Sequence, residues 1–184
     1  MYTPGVFLDA LTGNRRGAYS GGVTGLTVGW DHDVELLLDF LNTRHVLDSE
    51  ASWRAWVTER GLGRSSELAQ ARAARAALRS SIEGSSGPQT AAGVVHIELT
   101  DGVPVLSSSD ALGAVLAASA RLAVLGSWER FKICPAEDCL SAFFDRSRNR
   151  SRTWCSMQVC GNREKARTFR KRTRDLQNST LATV

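Results

Sequence analysis

The four cysteines of this chain stand close together near its C-terminus, and their spacing limits the fold of that segment more strictly than any other pattern in the sequence. Cys134 and Cys139 form one C-x4-C pair, Cys155 and Cys160 form another, and fifteen residues separate the pairs. Two short loops that each supply two thiolates are what a tetrahedral zinc ion requires. A catalytic zinc keeps one position for water, whereas four thiolates fill the coordination shell. The spacing therefore predicts one structural Zn²⁺ held by these four cysteines.

The rest of the sequence is consistent with a reducing compartment, in which clustered cysteines favour metal over disulfides. The first ten residues lack the basic start and apolar run of a secretory signal. Residues 111–126 form the longest apolar-rich stretch, but Ser119 and Arg121 interrupt it, and it is too short to cross a bilayer. We therefore expect a cytoplasmic, nucleoid-associated protein without a membrane partner.

Charge is divided unevenly along the chain. Residues 130–174 contain thirteen Lys/Arg and four Asp/Glu, a net charge of +9, whereas the remainder contains ten Lys/Arg and fifteen Asp/Glu, a net charge of −5. A basic segment attached to an acidic body predicts that the basic segment meets a polyanion.

The first 126 residues predict a mainly helical body. Residues 33–45 have apolar side chains at helical spacing, behind Asp31 or Asp33 as the N-terminal cap. Residues 95–99 alternate apolar and polar side chains, and Asp101-Gly102 is a hairpin turn signal before a return strand at 103–106. Further helices are predicted at 48–60 (cap Asp48), 65–83 (cap Ser65 or Ser66) and 111–125 (cap Ser109 or Asp110), and a short strand at 23–30.

The predicted fold class is therefore α+β: a mainly helical body with a small β-hairpin, followed by a C-terminal treble-clef-like four-cysteine zinc finger. A module of this size has little core of its own and depends on its metal for folding. Ala142, Phe143 and Phe144 are the residues that we expect to supply its apolar contact.

The loop between the two cysteine pairs contains arginines at every second position. In an extended segment these side chains would point to one side, where they could meet phosphates. The alternative is a solvated, disordered loop. The loop residues predicted to bind nucleic acid are Arg146, Arg148, Arg150 and Arg152.

A helix is predicted after Cys160, from Asn162 to about Leu176. Arginines fall in one narrow stripe of this helix that has no acid among its members, which suits phosphates or guanine edges in a major groove. The alternative is a solubilising face. The stripe consists of Arg163, Arg167, Arg170 and Arg174, and the side expected to pack on the zinc site or the body consists of Ala166, Phe169, Thr173 and Leu176.

Cys160-Gly161-Asn162-Arg163 is the signature of the CGNR zinc-finger family, which the C-terminal segment resembles. The surrounding Cys134-Pro135, Phe144-Asp145 and Trp154-Cys155-Ser156-Met157 are similar to that family's pattern. Leu38 to Thr43 (LDFLNT) resembles the D-F-x-N-T segment of the ABATE domain that usually precedes this finger. Family members are described as stress-induced transcriptional regulators of bacteria. The resemblance implies a body domain at 1–126, of which 1–25 lie outside the resemblance, a finger domain at 127–184, zinc on the four cysteines, and DNA as partner.

Two other functions stay open from the sequence. The finger could be a zinc-stabilised protein–protein or dimerisation adaptor, with a second copy of the chain as partner. The body could be a sensor of a small-molecule effector, in a candidate ligand pocket of Trp30, Asp39, Asn42 and Arg44; the alternative for Asp39 and Asn42 is that they satisfy buried backbone groups. No Ser-His-Asp arrangement, phosphate-binding glycine loop or catalytic acid pair is recognisable, so we expect no enzyme activity.

Overall fold

The computed structural model describes residues 29–85 and 90–181. The predicted fold class is confirmed, because the chain is mainly helical with two small antiparallel hairpins and has its four cysteines clustered near the C-terminus. Among the described residues, none of the helices has both the length and the apolar character needed to cross a bilayer. The elements are α1 (Trp30–Leu41), α2 (Glu50–Glu59), α3 (Leu68–Glu83), β1 (His96–Thr100), β2 (Val103–Ser107), α4 (Ala111–Val124), β3 (Phe131–Ile133), β4 (Ala142–Phe144), a π-helical turn (Met157–Gly161) and α5 (Asn162–Leu181).

Helix α1 lies at the centre of the core because apolar side chains cover most of its circumference. Leu37, Phe40 and Leu41 are fully buried. The ring of Phe40 lies 6.1 Å from the rings of both Trp53 and Trp56 on α2, which stack on each other at 5.2 Å. Both tryptophans are therefore core residues.

Helix α1 begins and ends earlier than the predicted 33–45. Its N-terminal cap is Gly29, and no side chain caps it. Asp33 is 2% exposed and accepts two hydrogen bonds, 2.7 and 2.8 Å long, from Arg121 on α4. Trp30 is the first residue of the helix rather than the end of a strand, and residues 23–28 of the predicted strand lie outside the described residues.

The other helices of the body form where predicted, although α2 and α3 begin later than expected. Helix α2 is capped by Ser49, whose hydroxyl accepts a backbone N–H at 3.1 Å, and not by Asp48. Helix α3 begins later than predicted, and neither Ser65 nor Ser66 caps it. Helix α4 is capped by Asp110, one of the two predicted residues.

The first hairpin has the predicted two-residue turn. Asp101 and Gly102 both have positive φ values, 53° and 79°, as this tight turn requires. The strands pair from His96↔Ser107 to Thr100↔Val103.

The second hairpin, β3–β4, belongs to the core of the body. Phe131, Ala142 and Phe144 are buried with the side chains of α1 to α4, and the Phe144 ring meets the edge of Trp30 at 5.4 Å. Only Phe143 packs with the cysteines. The prediction that Ala142, Phe143 and Phe144 supply the apolar contact of the finger therefore holds for Phe143 and is wrong for the other two, because successive side chains of a strand point to opposite faces.

Candidate metal centre and nucleic-acid interface

The four cysteines converge on one point. Their Sγ atoms all lie within 4.8 Å of one another. The Sγ of Cys155 lies 3.4 Å from that of Cys139 and 3.6 Å from that of Cys160. A tetrahedral zinc with bonds of about 2.3 Å places its sulphurs about 3.8 Å apart. The donor set and its spacing thus fit one zinc ion with a closed thiolate shell, as predicted.

Two short loops hold the cysteines in place; we call residues 134–140 the first knuckle and residues 155–160 the second knuckle. In the first, Cys134 N donates to Ser141 O at 2.9 Å and Cys139 N donates to Ala136 O at 2.9 Å. In the second, Cys160 N donates to Ser156 O at 2.9 Å as the π-helical turn begins. Each knuckle therefore presents two sulphurs from a hydrogen-bonded backbone.

The environment of the sulphurs lowers the pKa of one cysteine thiol and raises the pKa of two others, Cys155 and Cys160. Burial raises the pKa of the Cys139 thiol, but hydrogen bonding with Ser141 and with the thiols of Cys155 and Cys160 outweighs it and lowers that pKa to about 6. Burial and the neighbouring sulphurs raise the pKa of Cys155. Thiols this close cannot all ionise without a cation between them, so a divalent metal stabilises the arrangement.

The body holds the first knuckle through its backbone. The Asn42 side chain accepts from Ala142 N at 2.8 Å and donates to Ala142 O at 3.0 Å, which are the two bonds that a neighbouring strand would make. Arg44 donates to the carbonyl of Cys139, and Arg79 donates to the carbonyl of Leu140 at 2.6 Å. The first knuckle and the start of β4 are thereby fixed to the segment that follows α1 and to α3.

Asp145 organises the loop between the knuckles. Its carboxylate is fully buried and accepts hydrogen bonds from Lys132 Nζ (2.7 Å), Ser147 N (2.9 Å) and Arg152 N (2.8 Å). Burial raises its pKa, but these donors outweigh burial and hold the pKa of Asp145 well below its usual range. A charged Asp145 thus ties both ends of the arginine-bearing loop to β3.

The four loop arginines do not point to one side, because the loop turns at 147–150 and Arg150 has a φ of 50°. Arg146 pairs with Asp31 at 3.0 Å and lies over the Trp30 ring. Arg150 pairs with Glu129, and Arg152 donates to the carbonyls of Trp154 and Cys155. The prediction of an extended array is therefore wrong, and Arg148 alone of the four is exposed without a partner among the described residues.

The four arginines of the stripe on α5 also differ in their partners. Arg163 pairs with Asp138 at 2.8 Å, and Arg167 pairs with Glu137 at 3.1 Å and with Glu164 at 2.9 Å. The acids that neutralise this end of the stripe come mainly from the first knuckle, which the sequence wheel of a single helix cannot show. Arg170 and Arg174 lie further out and are exposed.

The side of α5 that was expected to pack does not do so. Ala166 and Thr173 are exposed, and Phe169 is 71% exposed; the side chain of Leu176 lies outside the described structure. Helix α5 runs on to Leu181 and packs mainly on the π-helical turn. It is a projecting helix rather than a core helix.

The candidate ligand pocket of the body is not formed among the described residues. The four predicted side chains have separate partners: Trp30 donates to Ser127 Oγ, Asp39 accepts from Arg60, Asn42 binds Ala142, and Arg44 binds Cys139. A 540 Å³ cavity does exist in the body, but it lies between Arg64, Gln70, Gly93 and Asp110. Asn42 satisfies buried backbone groups, which is the alternative role that the sequence allows.

A projecting helix fixed to two cysteine knuckles defines a four-cysteine zinc finger docked on a helical body. Residues 130–173 match the model of the family described as CGNR zinc finger. The comparison with curated proteins gives no match. Since the family match ends at the finger, the likeness of residues 38–43 to the ABATE domain stays a prediction.

Several residues that hold the cysteines in place have no sequence pattern around them that predicts this role. Asn42, Arg44 and Arg79 lie far from the cysteines along the chain, and only the packing of α1 and α3 on the hairpin brings them close. Asp145 does have a signal, since it follows two buried phenylalanines and precedes Arg146. A carboxylate at the end of a buried strand needs hydrogen-bond donors close by.

Proposed function

We propose that this protein is a zinc-dependent, DNA-binding regulator of transcription that acts in the cytoplasm, in a stress or signal response, and has no catalytic role. The observation that carries the proposal is the charge on α5. Five of its cations are exposed and have no acidic partner among the described residues: Lys165, Arg170, Lys171, Arg172 and Arg174.

The architecture supports DNA rather than a soluble anion as the partner. The five cations extend over more than two turns of one helix, with Arg170, Lys171 and Arg174 on one side and Lys165 and Arg172 on the other. A helix that lies in a groove of DNA has phosphates on both sides, whereas a single small anion would meet only one of these sides. Exposed Arg148 adds a further cation in the loop. The resemblance to regulators with this finger supports the transcriptional role.

The test is the salt dependence of DNA binding. Each phosphate contact adds about −0.9 to the slope of log K against log salt, so five contacts give about −4.5 and a loss of about 500-fold between 50 and 200 mM salt. The assay is fluorescence anisotropy with a random-sequence duplex and the protein carrying one zinc. No binding at low salt with zinc in place would refute the proposal.

Two variants of α5 compare the contribution to the salt slope of cations without an acidic partner with that of arginines that have one. The triple change Lys171→Gln, Arg172→Gln and Arg174→Gln should reduce the slope by about 2 to 3, because three contacts are lost. The double change Arg163→Gln and Arg167→Gln should reduce it by less, because those residues already have acidic partners. A random-pool selection with the zinc-loaded protein then gives the target sequence.

A second candidate function, an adaptor that pairs with another copy of the chain, has one observation in its favour. Ile97 and Leu99 of β1 are 75% and 77% exposed on the same face of the first hairpin. Analytical ultracentrifugation of the protein and of Ile97→Ser with Leu99→Ser distinguishes the two functions. The adaptor predicts a dimer that these changes dissociate, and it predicts no salt-dependent DNA binding.

A further inference from the structure

A groove lies on the side of α5 opposite the arginine stripe. Trp154 lines one wall, and Lys165, Thr168, Phe169 and Arg172 line the other, around a volume of about 500 Å³. At about 100° per residue, Arg172 lies half a circumference from Arg163, so the groove and the predicted stripe face opposite directions. The groove lies within the range of about 300–1,000 Å³ that small-ligand sites occupy.

The two walls of the groove differ in exposure. Trp154 is half-buried and packs against the buried cluster that contains Cys134, Phe143 and Cys160. Phe169 is 71% exposed, in the middle of a helix and away from the core. Phe169 therefore contributes little to folding, and its ring is available at the groove together with that of Trp154.

The charges at the groove identify the partner. Lys165 and Arg172 flank Phe169 on the same face, and neither has an acidic partner among the described residues. Glu164, the one acid of the groove, is already paired with Arg167. Aromatic rings interleaved with cations are what nucleic acids need when a base is out of its stack: the ring stacks on the base, and the cations bind the adjoining phosphates.

We propose that this groove binds an unstacked nucleobase, with Phe169 as the stacking platform beside Trp154 and with Lys165 and Arg172 on the flanking phosphates. This inference rests on the proposed DNA binding and makes it more specific. The finger then prefers single-stranded or locally opened DNA to a perfect duplex, because the duplex must be unstacked before its bases can enter.

The experiment compares three probes of equal length: a perfect duplex, the same duplex with a short central mismatch bubble, and one of its strands alone. Zinc-loaded protein should bind the bubble and the single strand more tightly than the duplex. Phe169→Ala should weaken those two complexes by about 10-fold or more, the effect of removing one stacking ring, and the duplex complex by less than about 2-fold. Phe169→Trp should retain the tight binding.

Controls separate stacking from loss of structure. Alanine is a better helix former than phenylalanine, so Phe169→Ala does not weaken α5 itself. Val124→Ala changes another exposed apolar side chain, the last residue of α4, and should leave the affinities for all three probes unchanged. Equal affinity for duplex and bubble, or unchanged affinities in Phe169→Ala, overturns the base-binding groove alone, whereas no binding of any probe at low salt overturns the proposed function as well.

Discussion

Asn42 gives the sharpest test of how the finger is held on the body. Its amide makes both hydrogen bonds to the backbone of Ala142, a residue that is 5% exposed. In Asn42→Ala those buried N–H and C=O groups lose their partners, and each unsatisfied group costs about 1–3 kcal/mol. We therefore expect a loss of about 2–6 kcal/mol in the free energy of unfolding, a large part of the 5–15 kcal/mol that is typical of a domain.

The assay is urea unfolding at saturating zinc, followed by tryptophan fluorescence and by release of zinc to a coloured chelator. With a slope of about 2 kcal/mol per molar, the midpoint should fall by about 1 M or more. Asp39→Asn is the matched control in the same segment: its exposed pair with Arg60 is worth about 1 kcal/mol or less. A change below about 0.5 kcal/mol in Asn42→Ala would refute the role assigned to its two hydrogen bonds.

Four further outcomes follow from the same structure. Chelation of zinc should lower the thermal midpoint of the whole chain, measured on the core tryptophans, because the hairpin β3–β4, whose loop is the first knuckle, shares the core of the body. Arg121→Gln should cost about 3 kcal/mol or more in urea unfolding, since it leaves buried Asp33 without its partner. Gly63→Ala should lower the midpoint too, because its φ is +76° and a new Cβ would lie 2.7 Å from Ser109 O. Asp145→Asn should be less stable than the wild type from pH 8 to 5. This difference in stability should narrow below about pH 4, because a carboxyl whose folded pKa is depressed stabilises fully above its unfolded pKa and loses that contribution as the pH falls toward its folded pKa.

The sequence predicted the positions of the helices and strands better than the contacts between them. Helix α4 and the Asp101-Gly102 hairpin carry local signals, a cap and a turn, and both lie where predicted. Helix α1 differs from the prediction at both ends. Asp33 binds Arg121 instead of capping, and the helix ends with Asn42 as its C-terminal cap, whose side chain binds Ala142. No local pattern encodes either partner.

At the candidate site, too, the local pattern was predictable from the sequence, whereas the contacts between distant residues were not. Cysteine spacing was sufficient to predict the metal centre, because a zinc ion imposes its own geometry on any chain that supplies four thiolates. The arginine stripe has no acid among its own members, as predicted, but the sequence did not predict that Asp138 and Glu137 of the first knuckle pair with Arg163 and Arg167. A helical wheel reports what lies on one helix and not what faces it.

The zinc site occupies the joint between two parts that are held in different ways. The first knuckle is fixed to the body through Asn42, Arg44 and Arg79, whereas the second knuckle begins α5, which packs mainly on its own π-helical turn. The sulphurs of Cys134 and Cys139 therefore belong to the part that is fixed to the body, and those of Cys155 and Cys160 belong to the part that projects with α5. The metal–sulphur bonds, helped by the ion pairs of Arg163 and Arg167, set the direction of α5 relative to the body. Zinc bound here would thus set the direction of the helix as well as stabilise the finger, and the proposed DNA binding should be lost on chelation at temperatures where the body is still folded.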